Sequence, residues 1–242
     1  MADAPSAELG ELPAAYQAWR ASDLGRITDR IEERLILTLV GAVQGKHVLD
    51  VGCGDGALSV VLAKAGGDVA GLDANPRMLA AARDRAGRVD AAVTFIEGYA
   101  RQLPFADDTF DVVVAITVLC FVADAERAVN EMARVLRPGG RLVIGELGRH
   151  SLWAVKRRLS GWIGSRTWRA ALFRSARALK QLARASGLDV NEIRGAIYYP
   201  PCHVCARLLA PLDARLAAVT TFGAAFIALA ARKPHHRSQG RS

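Results

Sequence analysis

The stretch that decides the fold is residues 48–56, Val-Leu-Asp-Val-Gly-Cys-Gly-Asp-Gly. Its first four residues are apolar except for Asp50, which is typical of a short buried strand. The three glycines that follow allow a tight turn and let the backbone approach a ligand closely. An apolar helical segment comes next, at 58–65. A strand, a glycine-rich turn and a helix in this order predict a turn that holds a nucleotide-like ligand.

Strands and helices alternate along the chain on both sides of this turn. Strands that are apolar almost throughout are typical of a parallel sheet covered by helices on both faces. Asp23 is the predicted N-cap of the first helix, and Pro and Gly at 136–140 predict a turn before the fifth strand. The predicted strands are 46–51, 68–73, 92–96, 110–116 and 141–147, and the predicted helices are 24–43, 58–65, 76–86 and 123–135.

The pattern changes after the fifth strand. We predict an α/β fold with a Rossmann-like, seven-stranded, mostly parallel sheet, an antiparallel edge strand and helices on both faces. A basic helical insertion follows strand 5. The elements predicted in this part are helices at 151–169, 175–186 and 202–219 and strands at 189–199 and 221–231.

The 242 residues suit one domain of this class. We predict a flexible N-terminal arm or lid at 1–23, a single domain at 24–232 and a disordered basic tail at 233–242. Within the domain, 147–187 comprises the basic helical insertion and the last helix. The first residues lack a basic and apolar leader pattern, so we expect a cytoplasmic protein.

The glycine turn by itself is compatible with two kinds of ligand. Residues 52–57, Gly-Cys-Gly-Asp-Gly-Ala, also satisfy the looser dinucleotide pattern. Asp73, at the end of the second strand, can accept hydrogen bonds from ribose hydroxyls in either case. Asp50 distinguishes between the two kinds of ligand, because a carboxylate just before the turn can pair with an ammonium group but repels a pyrophosphate. The chain also lacks a further strand–helix–strand half for a nicotinamide.

Several segments in order resemble the class I S-adenosylmethionine-dependent methyltransferases, in particular the type 11 group that includes the ubiquinone and menaquinone biosynthesis C-methyltransferases. The resemblance extends over about residues 16–150 and implies a Rossmann-like methyltransferase domain. The segments that carry it are 48–56 (motif I), 71–79 (Gly-Leu-Asp-Ala-Asn-Pro-Arg-Met-Leu), 103–105 (Leu-Pro-Phe), 110–114 (Phe-Asp-Val-Val-Val) and 135–140 (Val-Leu-Arg-Pro-Gly-Gly).

The resemblance implies S-adenosylmethionine as cofactor, S-adenosylhomocysteine as product and no metal. The glycines of the turn would face the methionine part, with Asp50 near its amino group and Asp73 on the ribose. Met78 would pack on the adenine or belong to the core. Tyr99 stands where relatives carry an aspartate for the adenine amino group, so it either stacks on the ring or points to solvent. The implied cofactor-binding residues are Asp50, Gly52, Cys53, Gly54, Gly56, Asp73, Ala74, Met78, Tyr99, Ala100 and Thr117.

Methyl transfer is an in-line displacement on an activated carbon, so the protein mainly positions the acceptor and excludes water. A general base is required only where the acceptor must lose a proton. The sequence assigns no catalytic residue. The candidates near the strand ends are Glu146, His150 and His203 as bases, and Tyr198 and Tyr199 as orienting groups.

Charge is unevenly distributed along the chain. Residues 1–146 carry 15 Lys or Arg against 21 Asp or Glu, whereas residues 147–242 carry 17 against 3. The segment 149–184 holds ten basic residues, no acidic one and three Trp. Three interpretations stay open for it: a solvated face over the site, peripheral contact with an anionic membrane, and, less favoured, nucleic-acid binding.

Cys202 and Cys205 form one Cys-x-x-Cys pair, and the chain has no second pair that would favour zinc. We expect reduced thiols there. As to function, we expect methyl transfer from S-adenosylmethionine to a small-molecule or lipid-like acceptor, with possible membrane association. The alternative is a non-catalytic ligand- or nucleic-acid-binding protein on the same fold.

Overall fold

The computed structural model describes residues 18–235. The predicted arm at 1–23 and the predicted basic tail at 233–242 lie mostly outside the described residues. The strands are β1 His47–Val51, β2 Asp68–Asp73, β3 Val93–Glu97, β4 Phe110–Ile116, β5 Leu136–Leu147, β6 Asp189–Ala196 and β7 Phe226–Arg232. The helices are α1 Asp23–Val40, α2 Ala57–Lys64, α3 Pro76–Arg88, α4 Ala125–Val135, α5 Leu152–Trp162, α6 Arg166–Ala170, α7 Ala176–Ala185 and α8 His203–Val219, with a 3₁₀ turn at Leu119–Phe121.

The seven strands form one sheet in the order β3-β2-β1-β4-β5-β7-β6. Strands β1 to β5 are parallel, and β7 runs antiparallel to both β5 and β6. The predicted Rossmann-like sheet with an antiparallel pairing at its edge is therefore confirmed. Strand order reverses between β1 and β4, and in open α/β sheets the crevice at such a switch point is where ligands bind.

Apolar side chains alternate between the two faces of the sheet and build two cores. Leu142 and Ile144 of β5 point to the face covered by α4 and α7, which we call the α4 face. Val143 points to the other face, covered by α1 and α2, which we call the α1 face. Trp153 of α5 and Ala206 of α8 also belong to the core of the α1 face. Both faces of the sheet are thus covered, which explains why the parallel strands are almost continuously apolar.

A predicted helix cap and a predicted turn differ from the structure. Ser22, and not Asp23, caps α1, because its hydroxyl oxygen accepts a hydrogen bond from the Gly25 amide at 3.0 Å. The predicted turn at 136–140 lies inside β5, since Leu136 already pairs with Phe110 of β4. The residues between form an irregularity in the pairing, so Pro and Gly interrupt the ladder without ending the strand.

The two last strands are shorter than predicted. Strand β6 ends at Ala196 because Ile197 has a positive φ of 65° and its amide turns to the Asp213 carboxylate. Strand β7 begins only at Phe226, opposite the last residue of β6. Backbone geometry and a long-range side-chain contact set these limits, and apolar residues alone do not reveal them.

The expectation of reduced thiols at Cys202 and Cys205 is wrong for this structure. The two residues form a disulfide at the N-terminus of α8, with Cα atoms 5.4 Å apart. Within residues 18–235 no helix is long and apolar enough to cross a bilayer. The same residues contain no group of three or more His, Cys, Asp or Glu side chains arranged to hold a metal ion.

Candidate functional site

The glycine turn lies at the carboxyl end of β1 and is attached to β2. The amides of Gly52 and Cys53 both donate to the Leu72 carbonyl oxygen, at 2.7 and 3.0 Å. The Gly56 amide closes the turn on the Cys53 carbonyl oxygen at 3.0 Å. All three glycines have positive φ, between 55° and 74°. The left-handed conformation costs other residues about 1 kcal/mol or more, so the turn requires glycine at each of these positions.

The three glycines differ in what surrounds them. A Cβ atom at Gly52 would lie 2.4 Å from a Val118 methyl carbon, and one at Gly56 would lie 2.9 Å from the Ala82 Cβ. At Gly54 the same atom would meet no protein atom within 4 Å. Packing against the protein therefore explains two of the glycines. The third presents open space above its backbone, where a ligand can approach.

The carboxylate of Asp73 holds this turn against the second strand. One oxygen accepts from the Gly54 amide at 2.9 Å and the other from the Asn75 amide at 2.8 Å. Burial raises the pKa of this carboxyl, and the two amides act in the opposite direction. Each oxygen keeps a further lone pair, so the group can still accept hydrogen bonds from two ligand hydroxyls.

Asp50 is the second carboxylate of the site and is almost fully buried below the turn. One of its oxygens accepts from the Ser59 hydroxyl at 2.6 Å. Burial raises the pKa of Asp50 to about 7; the Ser59 bond lowers it and the neighbouring Asp73 raises it. A buried carboxylate next to a half-buried one favours a cationic ligand and opposes a pyrophosphate.

Asp55 anchors the turn to helices, which the sequence did not reveal. Its buried carboxylate forms an ion pair with Arg85 of α3 and lies 3.6 Å from Nη1 of Arg20. The segment before α1 therefore meets the glycine turn directly. Arg85 follows Asp55 by 30 residues, and no short-range pattern connects two residues at that distance.

The loop after β4 forms the opposite wall of the crevice. Thr117 has a φ of 55°, which is unusual for a β-branched residue, and its amide donates to the Gly145 carbonyl oxygen at 2.7 Å. Backbone strain of this kind clusters at ligand sites. The next residue, Val118, is the one that packs on Gly52. The structure thus places the loop that contains Thr117 next to the glycine turn through Val118, and a contact of Thr117 with the cofactor stays a prediction.

The remaining predicted cofactor contacts differ in exposure. Cys53 is buried and faces Gly71 of β2, and burial raises the pKa of its thiol well above the ordinary range, so it is unreactive. Ala100 is buried, whereas the Tyr99 side chain is 50% exposed. Ala74 and Met78 are half-buried at the end of β2 and the start of α3. Contacts of these residues with an adenine stay predictions.

Five residues near the strand ends were candidates for proton transfer or for orienting the acceptor, and Glu146 differs from the other four. It is completely buried at the end of β5, where the backbone of Leu119 and Cys120 faces its carboxylate. The Arg174 guanidinium lies 3.8 Å away and donates to the Leu119 carbonyl oxygen. Burial raises the pKa of Glu146 to about 7, against the effect of Arg174. Such a carboxyl can exchange a proton near neutral pH.

The other four candidates have structural surroundings. His150 stacks on Phe222 at 5.6 Å between ring centres, and His203 lies 3.4 Å from Asp23. The Tyr199 hydroxyl is buried in the core and shares a hydrogen bond with Thr28, and the Tyr198 hydroxyl donates to the Thr220 carbonyl oxygen. Both tyrosine hydroxyls therefore already bond to protein groups, and a role of either in orienting an acceptor stays a prediction.

Part of the chain is similar to known methyltransferases. Residues 49–144 match the family model described as a methyltransferase domain. The chain is 44% identical over 113 residues to demethylmenaquinone methyltransferase of Renibacterium salmoninarum. The aligned residues make up 47% of this chain and 46% of that enzyme. It is also 35% identical over 144 residues to an uncharacterised protein of Mycobacterium tuberculosis, with 58% and 53% of the two chains covered. The chain spans about half the length of the curated relatives it matches.

One solved structure covers nearly the whole chain. A SAM-dependent methyltransferase of Thermotoga maritima, described as a possible histamine N-methyltransferase, superposes with a TM-score of 0.72 at 22% identity, over 94% of this chain and 98% of that one. At this identity the likeness shows the fold. Residues 49–144 thus resemble a methyltransferase domain, and the fold is the one seen in that solved structure, which agrees with the resemblance carried by the motifs.

Replacing Gly54 with alanine is expected to weaken binding of S-adenosylhomocysteine by roughly tenfold or more, since the added methyl enters the open space above the turn. The cost in stability should stay near 1–2 kcal/mol, the cost of the left-handed conformation. Calorimetric titration and thermal unfolding measure the two effects. Gly52→Ala is the matched control and should lower stability further, because its methyl meets Val118. Wild-type affinity in Gly54→Ala would contradict a ligand at this residue.

Binding of the amino-acid part of the donor is expected to release protons near neutral pH. Asp50 has a raised pKa of about 7, and an ammonium group beside it favours the ionised form. About half a proton should therefore leave on binding at pH 7, and affinity should rise with pH between about 6 and 8. Calorimetry in buffers of different ionisation enthalpy measures this release. In Asp50→Asn it should vanish, and a wild-type enthalpy that is the same in all buffers would exclude this role.

Proposed function

We propose that this protein transfers a methyl group from S-adenosylmethionine to a small-molecule or lipid-like acceptor. The observation that carries the proposal is the open face of Gly54, whose amide is bonded to the half-buried Asp73 carboxylate above the buried carboxylate of Asp50. This arrangement fits a ligand that has hydroxyls for one carboxylate and a cationic group for the other. It does not fit a dinucleotide, whose pyrophosphate would lie beside two negative charges.

The donor supplies an already activated methyl group when it is bound. The residues of this chain then have three tasks, namely to hold the donor, to orient the acceptor and to keep water out. Asp73 and the glycine turn serve the first task. Arg20 and Arg85 support it by fixing Asp55 at the base of the turn.

Glu146 is the residue that we propose for proton transfer, where the acceptor must lose a proton. Its buried carboxyl lies below the 3₁₀ turn that follows Thr117, at the carboxyl end of β5. With a pKa near 7, about half of the molecules carry the base form at neutral pH. Acceptors that are already nucleophilic would not require it, so its importance depends on the acceptor.

The lipid-like character of the acceptor is supported by two observations. Some relatives that match this chain are named demethylmenaquinone methyltransferases, and the substrate in that name is lipid-like. In addition, the segments that follow β5 and β6 carry many exposed apolar side chains at the edge of the sheet where the crevice lies. We further propose that part of the basic segment 149–184 contributes to peripheral contact with an anionic membrane. Cytoplasmic localisation stays a prediction.

The proposal predicts that S-adenosylmethionine and S-adenosylhomocysteine stabilise the protein and that NAD does not. At a hundredfold excess over Kd the ligand should add about 2.7 kcal/mol, which raises the Tm by several degrees. Asp73→Ala should lose this shift. Asp84→Ala is the matched control, because Asp84 is exposed and pairs only with Arg88 on the same helix. Stabilisation by NAD alone would refute the donor assignment.

Catalysis itself is tested by labelled methyl transfer. Lipid and small-molecule extracts incubated with labelled donor should gain label with the wild-type protein and not with Asp73→Ala. A protein that binds the donor but labels no extract would support the alternative of a non-catalytic binding protein.

A further inference from the structure

Helix α5 exposes one apolar stripe to solvent. The exposed members, Leu152, Val155, Leu159, Trp162 and Ile163, recur at helical spacing, and Trp162 and Ile163 are 83% and 86% exposed. The opposite side of the helix is anchored, because Trp153 is buried in the α1-face core and its indole N–H donates to the Tyr199 carbonyl oxygen at 2.9 Å. The exposed stripe is therefore not the side by which α5 packs on the rest of the protein.

Helix α8 shows the same feature more strongly. Its buried positions are Ala206 and Asp213. Most of its surface faces outward and is apolar, with Leu208 70% and Val219 84% exposed. Val204, Leu212 and Leu216 extend this outward surface along the helix. A helix that is apolar nearly all round is normally covered by something.

The two helices leave the sheet at the same edge. Helix α5 follows the end of β5, and α8 connects the end of β6 to the start of β7. Leu147, Ala196 and Phe226, which are the last or first residues of these strands, are register partners. This is the carboxyl edge of β5, the edge on which the glycine turn and the crevice lie. His150 before α5 stacks on Phe222 after α8, which links the two segments directly.

The charges on α5 and α8 have one sign at the surface. Exposed basic residues on them include Lys156, Arg207 and Arg215. The only acidic residue of the two helices is Asp213, which is buried and accepts hydrogen bonds from two backbone amides. A surface that combines apolar side chains with a purely positive charge is complementary to the interface of an anionic bilayer.

The two other occupants fit this surface less well. A second copy of the chain would place positive charges against positive charges. A nucleic acid would satisfy the basic residues but leave the exposed Leu, Val and Ile side chains against phosphates and water, since aliphatic groups do not stack on bases as aromatic ones do. Only a lipid interface takes up both features, with aliphatic side chains in the acyl region and Lys and Arg at the headgroups.

We propose that the outward faces of α5 and α8 dock this protein onto anionic membranes, with the carboxyl edge of the sheet turned toward the lipid. The basic residues of α7 do not belong to this surface. Leu179 and Ala183 pack α7 on the α4 face, so Arg177, Lys180 and Arg184 lie on the other side of the sheet. Docking itself does not depend on methyl transfer, whereas entry of a lipid-like acceptor from the bilayer rests on the proposed function.

Flotation of the full chain with vesicles tests the docking. Vesicles of equal parts phosphatidylcholine and phosphatidylglycerol should carry the protein upward, and vesicles of phosphatidylcholine alone should carry at least about tenfold less. High salt should reduce the anionic binding, since surface charge is screened within a Debye length. Equal absence from both vesicle types would overturn the proposal.

Two charge variants locate the surface. The triple variant Lys156→Gln, Arg207→Gln, Arg215→Gln should lose roughly a hundredfold in partitioning, about fivefold for each residue. The triple variant Arg177→Gln, Lys180→Gln, Arg184→Gln removes the same charge from α7 and should bind like the wild type. If the α7 variant lost binding and the other kept it, the assignment to α5 and α8 would be wrong.

Two double variants that remove exposed apolar side chains test insertion into the bilayer. One combines Trp162→Ser with Ile163→Ser, and the other combines Leu208→Ser with Val219→Ser. All four side chains are exposed, so the fold should persist, and the thermal shift with S-adenosylhomocysteine confirms it in each variant. Both should lose vesicle binding. The proposal would be overturned if the protein preferred duplex DNA to vesicles. It would also be overturned if the wild-type protein were a dimer that the Leu208/Val219 variant turns into a monomer. Because donor binding is read separately, failure of docking and failure of the proposed function are distinguishable.

Discussion

The site depends on the bond between the Asp73 carboxylate and the Gly54 amide. This bond joins the end of β2 to the turn after β1, and it keeps the open face of Gly54 directed into the crevice. The cost is that the partly buried carboxylate of Asp73 lies near the buried carboxylate of Asp50. Both groups have raised pKa values for that reason. A cationic ligand relieves this unfavourable charge, so stability and ligand preference have the same physical origin.

The parallel sheet determines where everything else can act. Its strands end at one edge, and the segments that leave this edge supply the second wall of the crevice and its surroundings. Glu146 lies there below the turn that starts with the strained Thr117. Helices α5 and α8 begin from the same edge, because β5 and β6 both end there.

The basic part of the chain acts as two surfaces and not as one. Along the sequence, 149–184 is a single run of positive charge. In the fold, α5 packs on the α1 face through Trp153, and α7 packs on the α4 face through Leu179. The sheet separates them. Helix α8, which lies outside that run, joins α5 through the stacked rings of His150 and Phe222.

Local patterns were sufficient to predict the order of strands and helices, the glycine turn and the two carboxylates around it, because each is encoded in a few consecutive residues with a fixed backbone requirement. The contact of Asp55 with Arg85, the disulfide at α8 and the burial of Glu146 beside Arg174 were not predictable in this way. The division of the basic run between the two faces was not either. These features arise where segments far apart in the chain meet, and periodicity records only which side of an element is apolar, not which other element covers it.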